Sequence, residues 1–277
     1  MVEKHRLYKT GFDTTSIEIE CGDAVTFDLA AFLFSDLPGT CKTSTPFRLQ
    51  IKSTGTPPIF SLYKEQRELY RGSSLYNIAY SLMNEVIFSC IEDHSAHHAL
   101  HAGCVSKDDY CLLLPGSSGD GKSSLTAWLV TEGFSYLTDE LVFLSSSGKA
   151  FPFTRPVNLK KKFEDIHWLE LGEKQDSISD KHGSMIPHRQ LNPNFHQATP
   201  TVTHIIFPHY QENTVAALKE LSPGKSAFNL LQSFVNARNL ENHGINSLSK
   251  IVRKCRSYEL WYKNTVELPE LLDKLEL

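Results

Sequence analysis

The sequence lacks several features that mark specialised classes of protein. It has no run of about 18 apolar residues, which a transmembrane helix needs, and its first residues carry no apolar signal-peptide core, so we expect a cytoplasmic protein with no membrane partner. It has no excess of positive charge, because 28 Lys and Arg stand against 32 Asp and Glu for a net charge of −4. That balance argues against nucleic acid as a partner, although it is compatible with a local basic cleft.

Cys-x-x-Cys pairs are also absent. The six cysteines are scattered at positions 21, 41, 90, 104, 111 and 255, and we expect buried, reduced thiols and no disulfide framework. Histidines, in contrast, are clustered, and His94 and His98 have the i,i+4 spacing that can share a metal. No cysteine or acid nearby completes a tetrahedral set, so a structural zinc site is the weaker interpretation.

What is present is an ordinary globular composition, with 40% hydrophobic and 22% charged residues among 277, enough for one large domain or two small ones. Residues 36–58 are rich in Pro, Gly, Ser and Thr, and the segments 47–51 and 59–63 predict short strands. We therefore predict a small β-rich α+β module over residues 1–75 and a larger domain over residues 76–277. A helix to about His94, capped by Ser73 or Ser74, opens the larger domain.

A phosphate-binding motif follows two short strands. Residues 99–105 and 110–114 predict a β-hairpin, and the next segment, 116–123, matches the P-loop pattern G-x-x-x-x-G-K-[ST]. Apolar residues at helical spacing then predict a helix that stops at Gly133. Because a P-loop requires a strand, a loop and a helix in this order, the context disfavours the alternative of a chance glycine-serine turn.

The residue types of this segment suit a nucleoside triphosphate with Mg²⁺. Glycines let the backbone approach a phosphate, and successive N–H groups at a helix N-terminus attract anions. The helix terminus contributes only about 0.3 to 1 kcal/mol when exposed, so Lys122 is needed as a point charge on the phosphates. Ser123 supplies a hydroxyl oxygen, the ligand type that Mg²⁺ prefers.

Two adjacent acids, Asp139 and Glu140, interrupt an apolar run downstream of the motif. In a phosphoryl-transfer site one carboxylate holds Mg²⁺, and in a kinase another accepts the proton of the acceptor hydroxyl. The alternative is a solvated acidic turn, which the upstream P-loop disfavours.

These motifs together resemble the C-terminal catalytic domain of HPr serine kinase/phosphorylase, and more closely the HprK-related kinase A family. The resemblance covers roughly residues 80–275 and is more specific than a P-loop alone. The segments that carry it are 100–105, 114–124, 136–140, 155–160, 181–183 and 205–210.

The resemblance implies an α/β (α+β) fold related to phosphoenolpyruvate carboxykinase, with a mixed, largely antiparallel sheet around the P-loop, and it implies ATP and Mg²⁺ as cofactors. It implies that His101 faces the reaction centre and that Arg155 assists the transferring phosphoryl group. The expected catalytic residues are thus Asp139, His101, Lys122 and Arg155, and the expected metal ligands are Ser123, Asp139 and Glu140. The expected phosphate-binding residues are Gly116, Ser117, Ser118, Gly119, Asp120, Gly121, Lys122, Ser123, Ser124, Lys160 and Lys181.

The chain departs from the HPr kinase pattern at two positions, where Glu140 takes the place of an Asp and Ser124 that of a Glu. These departures put HPr itself in doubt as the acceptor. The alternative interpretation of Arg155 and Lys160 is that they are solvated charges in a loop. Further along the chain, we expect a core strand at 205–207, a helix over 226–236 with Asn236 on its surface, and a strand and a final helix near the C-terminus.

The sequence therefore predicts an ATP-dependent kinase that phosphorylates a hydroxyl, serine by analogy, on a peptide, a protein or a small molecule. One alternative is a nucleotide-binding regulatory ATPase without transfer, and another is a carboxykinase-like enzyme. The paired acids and His101 argue against the first, because nucleotide binding alone needs neither. A homo-oligomer is compatible with the sequence.

Overall fold

The computed structural model describes residues 6–37, 39–40, 46–161, 177–195 and 198–275. The charge run of Lys160, Lys161 and Lys162 predicts that a solvated helix starts at Lys161 and Lys162, and this helix falls mainly outside the described residues. Cys41 also lies outside them. By contacts, the described chain divides into two compact units, residues 6–94, 154–161 and 177–187 in the first, and residues 95–153, 188–195 and 198–275 in the second.

Strands and helices alternate irregularly along the chain. The strands are β1 (Arg6–Asp13), β2 (Thr15–Cys21), β3 (Gly39–Thr40), β4 (Phe47–Thr54), β5 (Ile59–Lys64), β6 (Arg67–Gly72), β7 (His98–Lys107), β8 (Tyr110–Pro115), β9 (Ser135–Thr138), β10 (Leu141–Leu144), β11 (Ala150–Pro152), β12 (Val157–Leu159), β13 (Ile178–Asp180), β14 (Gly183–Ile186), β15 (His204–Tyr210), β16 (Ala217–Glu220) and β17 (Arg256–Tyr262). The helices are α1 (Ala24–Phe34), α2 (Leu75–Ile91), α3 (Lys122–Thr131), α4 (His188–Leu191), α5 (Pro223–Leu231), α6 (Ile245–Val252) and α7 (Leu268–Leu272). None of the helices in the described ranges has the length and apolar character needed to cross a membrane.

The first unit contains a sheet in the order β3-β1-β2-β4-β5-β6 and a smaller sheet in the order β12-β14-β13. Helix α1 was not predicted, although its start has a clear signal, because Asp23 accepts the N–H of Thr26 and the Thr26 hydroxyl accepts the N–H of Asp23. Helix α2 begins after Ser74, whose hydroxyl accepts the N–H of Asn77, so the predicted cap is confirmed. By contacts α2 groups with this unit, whereas the predicted division after residue 75 assigned it to the larger domain.

The second unit is built on a sheet in the order β11-β10-β7-β8-β15-β17-β16, with β9 also paired to β7. Strands β8, β15 and β17 run parallel, and the other pairings in this sheet are antiparallel. The expected mixed sheet is therefore present. Its core face carries alternate residues of these strands, including Leu100, Cys104 and Leu113, against α5 and α6.

The helix expected over 226–236 is shorter than predicted. It ends at Leu231, and the chain then turns and pairs briefly with β7. Asn236 is buried and not on a helix surface, since its Oδ1 accepts the N–H of Ala99 at 2.8 Å and its Nδ2 donates to the carbonyl of His97 at 2.9 Å. The amphipathic pattern continued beyond the helix because Phe234 also packs on the core.

Candidate functional site

The P-loop segment joins β8 to α3, at the edge of the second unit's sheet where the parallel strands β8, β15 and β17 end. The hairpin of β7 and β8 and the helix after the loop are as predicted. In parallel sheets the carboxyl ends of strands form the usual edge for ligand binding. The loop therefore occupies a position from which its N–H groups and the first turn of α3 can hold an anion.

Glycines and Lys122 set the conformation of the loop. Gly119 and Gly121 have φ values of 102° and 89°, in the left-handed region that favours glycine. Gly121 is also the N-cap of α3. The buried Lys122 folds back over the loop, and its Nζ donates to the carbonyl of Ser117 at 2.8 Å. An ammonium held across the loop in this way is a point charge directed at whatever anion the loop binds.

Asp120 adds a negative charge to the same loop. Its Oδ2 accepts the N–H of Ser117, and its own N–H donates to the Ser117 carbonyl at 3.3 Å. The carboxylate thus satisfies one of the backbone donors that a phosphate would otherwise use. Sequence reasoning listed Asp120 only as a member of the motif and missed this contact.

Two tyrosines at the ends of β15 and β17 hold the loop in place, and sequence reasoning missed both. The N–H of Tyr210 donates to the carbonyl of Asp120 at 3.1 Å. The hydroxyl of Tyr262 donates to the carbonyl of Gly121 at 3.1 Å, and burial raises the pKa of this phenol well above its ordinary value. The phenol therefore stays protonated and acts as a donor throughout the physiological range. A Cβ at Gly121 would collide with this hydroxyl and approach the Cβ of Tyr210 to 2.9 Å.

Helix α3 packs closely on β7. A Cβ at Gly103 would collide with the hydroxyl of Thr126, so glycine is needed for this approach. Because side chains alternate along a strand, the side chain of His101 lies on the same face of the sheet as the Cα hydrogen of Gly103 that faces α3, while the side chain of Leu100 points to the core. His101 therefore lies on the same face as the P-loop helix.

Asp139 and Glu140, the acid pair, lie at a break in the chain segment that pairs with one side of β7. Strands β9 and β10 both pair with β7, and Asp139 and Glu140 form the break between them, beside residues 102–103. The hydroxyl of Thr138 stabilises the break by accepting the N–H groups of Glu140 and Leu141, each at 3.3 Å. Local turn geometry therefore releases the two acids from strict strand alternation.

The two acids have different environments. Asp139 is fully buried, and its Oδ1 accepts the hydroxyl of Tyr136 at 2.9 Å. Glu140 is 36% exposed, and its Oε1 lies 3.0 Å from Nδ1 of His101, which is 32% exposed. Glu140 thus orients His101, while the hydrogen bond from Tyr136 holds the carboxylate of Asp139 in place. Neither contact was predicted: the Tyr136–Asp139 hydrogen bond is local, between residues three apart, whereas the His101–Glu140 pair depends on how β7 and β10 come together.

The P-loop, Asp139, Glu140 and His101 are thus brought to one edge of one sheet, with β7 between β8 and the acid pair. A hydroxyl at Ser123 and the two carboxylates are hard oxygen donors, which fit Mg²⁺. The space around Gly119, where a Cβ would meet no atom within 4 Å, fits the close approach of a phosphate. The residues present therefore fit a Mg²⁺–triphosphate.

The three other predicted cations belong to the first unit, so their roles stay predictions. Arg155 is buried, and its Nη1 lies 2.9 Å from Sδ of Met83. Lys160 is exposed at the end of β12, and Lys181 is exposed in the turn between β13 and β14.

The alternative of a zinc site on His94 and His98 is not supported. Both ring nitrogens of His98 have protein partners, since Nδ1 lies 3.1 Å from the carbonyl of Leu144 and Nε2 lies 2.8 Å from the hydroxyl of Ser247. The described cysteines are free thiols, as predicted, and all but Cys255 are buried.

No protein-family model and no curated protein sequence matches the chain. Among solved structures the chain is similar to the Hpr(Ser) kinase/phosphatase from Coxiella burnetii, with 13% sequence identity and a TM-score of 0.34, covering 64% of this chain and 92% of that chain. A similarity at this level carries no conclusion about activity.

Proposed function

We propose that the protein is an ATP-dependent kinase with an HPr kinase-like catalytic domain, which transfers the γ-phosphoryl group to a hydroxyl of an acceptor, with serine as the first candidate. The observation that carries the proposal is the shared sheet edge at which the P-loop, with Lys122 folded across it, meets Asp139, Glu140 and His101. A site for nucleotide binding alone needs the loop and does not need a carboxylate–histidine pair beside it.

In the proposed reaction the acceptor oxygen forms a bond to the γ-phosphorus while the bond from this phosphorus to the β–γ bridging oxygen breaks, and ADP leaves. Lys122 and the N–H groups of the loop stabilise the negative charge on the phosphates. Bound Mg²⁺, held by Ser123 and a carboxylate, would neutralise charge on the β- and γ-phosphates. The hydroxyl proton passes to a carboxylate at the same edge.

Exposure separates the candidate roles of the two acids. Asp139 was assigned from sequence as the base or a metal ligand, and its full burial favours a role that holds and orients other groups. Glu140 is accessible and is paired with His101. We therefore assign proton acceptance to the Glu140–His101 pair. Glu140→Gln should lower kcat about 10²- to 10⁴-fold, as for other general bases, and should change ATP affinity less than it changes kcat.

Incubation with γ-labelled ATP, Mg²⁺ and a pool of serine peptides tests the proposal. Label on a peptide supports the kinase, whereas release of phosphate with no labelled acceptor favours the regulatory ATPase. Lys122→Ala should weaken ATP binding roughly 10- to 100-fold, because it removes charge-assisted hydrogen bonds of about 1.5–3 kcal/mol. The matched control is Lys149→Ala, which removes an exposed lysine of the same unit. Normal ATP binding and turnover by Lys122→Ala would contradict the site assignment.

A further inference from the structure

A buried histidine from a later part of the chain packs against the residue that supports the acid pair. His188 is the first residue of the short helix α4, belongs to the second unit and is buried. Its imidazole stacks on the ring of Tyr136, with the ring centroids 5.1 Å apart and 15° between the planes. Phe195 contacts the same imidazole, with the centroids 4.3 Å apart. We call Tyr136, His188 and Phe195 the ring cluster.

The ring cluster lies on the face of the sheet that carries the P-loop helix. Leu137 belongs to the core, so its neighbour on β9, Tyr136, points to the opposite face. Helix α4 contacts α3, and α3 itself contacts β9. Just after α4, Nδ2 of Asn192 donates to the carbonyl of Phe134 at 3.2 Å, two residues before Tyr136. The segment that carries His188 is therefore tied to the strand that carries Tyr136.

Tyr136 links the ring cluster to the acid pair. Its hydroxyl donates to Oδ1 of Asp139 at 2.9 Å, and Glu140, which contacts His101, follows Asp139 directly. A tyrosine side chain is rigid apart from two torsion angles, so the position of its ring sets the position of its hydroxyl. A ring stacked on Tyr136 therefore limits where the donor to Asp139 can lie.

We propose that His188 is a positioning residue of the metal site, which stacks on Tyr136 and so fixes the phenol that orients Asp139 in the acid pair that receives Mg²⁺. The inference rests on the proposed function and deepens it by adding a residue that none of the sequence motifs includes. His188 acts through Tyr136 and not by contact with the metal or the phosphates. Loss of a residue that orients a metal ligand typically costs about 10- to 100-fold in metal affinity. We expect the lower end of that range, because His188 is one contact further from the carboxylate.

A second buried histidine in the same unit provides a matched control. His204 stacks on Tyr258, with the ring centroids 6.4 Å apart and 13° between the planes. It is the first residue of β15, at the other end of this strand from Tyr210, which contacts the P-loop. His204→Ala therefore removes the same kind of contact away from the acid pair. A histidine with only a structural role should behave as His204 does, changing stability and not metal binding.

Metal binding is measured first, separately from phosphoryl transfer. The probe is Mn²⁺, which takes the same oxygen ligands as Mg²⁺, and the free ion is followed by electron paramagnetic resonance with the full chain and a non-hydrolysable ATP analogue. His188→Ala should weaken Mn²⁺ binding about tenfold. His188→Phe keeps a flat ring on Tyr136, and it should bind Mn²⁺ within about twofold of the wild type, as should His204→Ala.

Tyr136→Phe tests whether His188 acts through the phenol. This variant should weaken Mn²⁺ binding about tenfold by itself, and His188→Ala/Tyr136→Phe should bind no more weakly, because residues of one network do not have additive effects. Losses that multiply to about 100-fold in the double variant mean that the two residues act independently, which overturns the proposal. Circular dichroism checks that the variants fold, and His188→Leu, which fills the space without a flat ring, replaces His188→Ala if the alanine variant does not.

Three other results also overturn the role of His188: Mn²⁺ affinity unchanged in His188→Ala, an equal loss in His204→Ala, or no recovery in His188→Phe. Phosphoryl transfer from γ-labelled ATP to serine peptides is measured separately. The expected pattern of Mn²⁺ binding without transfer contradicts the kinase function and leaves the role of His188 standing. Transfer by the wild type, with Mn²⁺ binding unaltered in His188→Ala, contradicts the role of His188 and leaves the kinase function standing. A wild type that binds neither Mn²⁺ nor the ATP analogue contradicts both.

Discussion

The P-loop contains two glycines with similar backbone angles and different surroundings, which allows a matched pair of substitutions. Gly119 and Gly121 both have positive φ, at 102° and 89°. A Cβ at Gly119 would meet nothing within 4 Å, whereas at Gly121 it would collide with the hydroxyl of Tyr262. Gly119→Ala therefore costs only the left-handed conformation, about 1–2 kcal/mol. Gly121→Ala adds the cost of an overpacked contact, typically about 1–3 kcal/mol, for a total of roughly 2–5 kcal/mol.

Urea unfolding of the two variants, with the denaturant slope compared to confirm the same transition, measures the difference between these costs. Tyr262→Phe provides the second arm, because it removes the colliding hydroxyl. In this background Gly121→Ala should cost less than in the wild type, and the cycle isolates the contact. The carbonyl of Gly121 stays bonded to the N–H of Leu125 at 2.8 Å, so Tyr262→Phe alone should cost only about 0.5–1.5 kcal/mol. Equal losses from Gly119→Ala and Gly121→Ala would refute the reasoning.

Three further predictions concern separate groups. Asp120→Asn should tighten ATP binding about fivefold, measured by calorimetry, because a like charge about 4 Å from a phosphate costs roughly 1 kcal/mol even in water; unchanged affinity contradicts a repulsive role. Tyr136→Phe should lower the unfolding free energy by about 1–3 kcal/mol, since it removes the buried donor to Asp139, whereas Tyr63→Phe, which removes an exposed phenol hydrogen bond, should cost less than about 0.5 kcal/mol. Burial raises the pKa of the Cys90 thiol to about 12, so the folded state favours the protonated form, and the resulting stability is complete below the unfolded pKa and lost as pH rises towards the folded pKa. In reductant between pH 9 and 11, the free energy of unfolding measured in urea should fall with pH less steeply in Cys90→Ala than in the wild type, by about 1.4 kcal/mol per pH unit. Identical slopes of unfolding free energy against pH in the two proteins contradict this.

Local sequence patterns predicted the parts of the site that local chemistry determines. The hairpin before the P-loop, the helix after it and the Ser74 cap are confirmed, because each depends on residues a few positions apart. The break at Asp139 and Glu140 also has a local cause, in the hydroxyl of Thr138. Helix α1 has a local signal too, and its capping box at Asp23 could have been used to predict it.

The supports of the loop could not be predicted in this way. Tyr210 and Tyr262 reach the P-loop from positions 90 or more residues further along the chain, because β15 and β17 continue the parallel part of the sheet from β8. No periodicity in the sequence specifies which strand lies beside which. The same reason explains why Tyr262 carried no functional signal in the sequence although its hydroxyl contacts the loop directly.

The end of α5 illustrates how a correct pattern can lead to the wrong element. Apolar spacing over 226–236 predicted one helix, but Phe234 reaches the core from a short segment paired with β7, and Asn236 supplies its amide to the backbone of Ala99 and His97. A helix continued to Asn236 would have placed no backbone carbonyl against the N–H of His101. The early stop of α5 at Leu231 therefore gives His101 its backbone partner, Ser233, and places Val235 on the face of the sheet that carries α3.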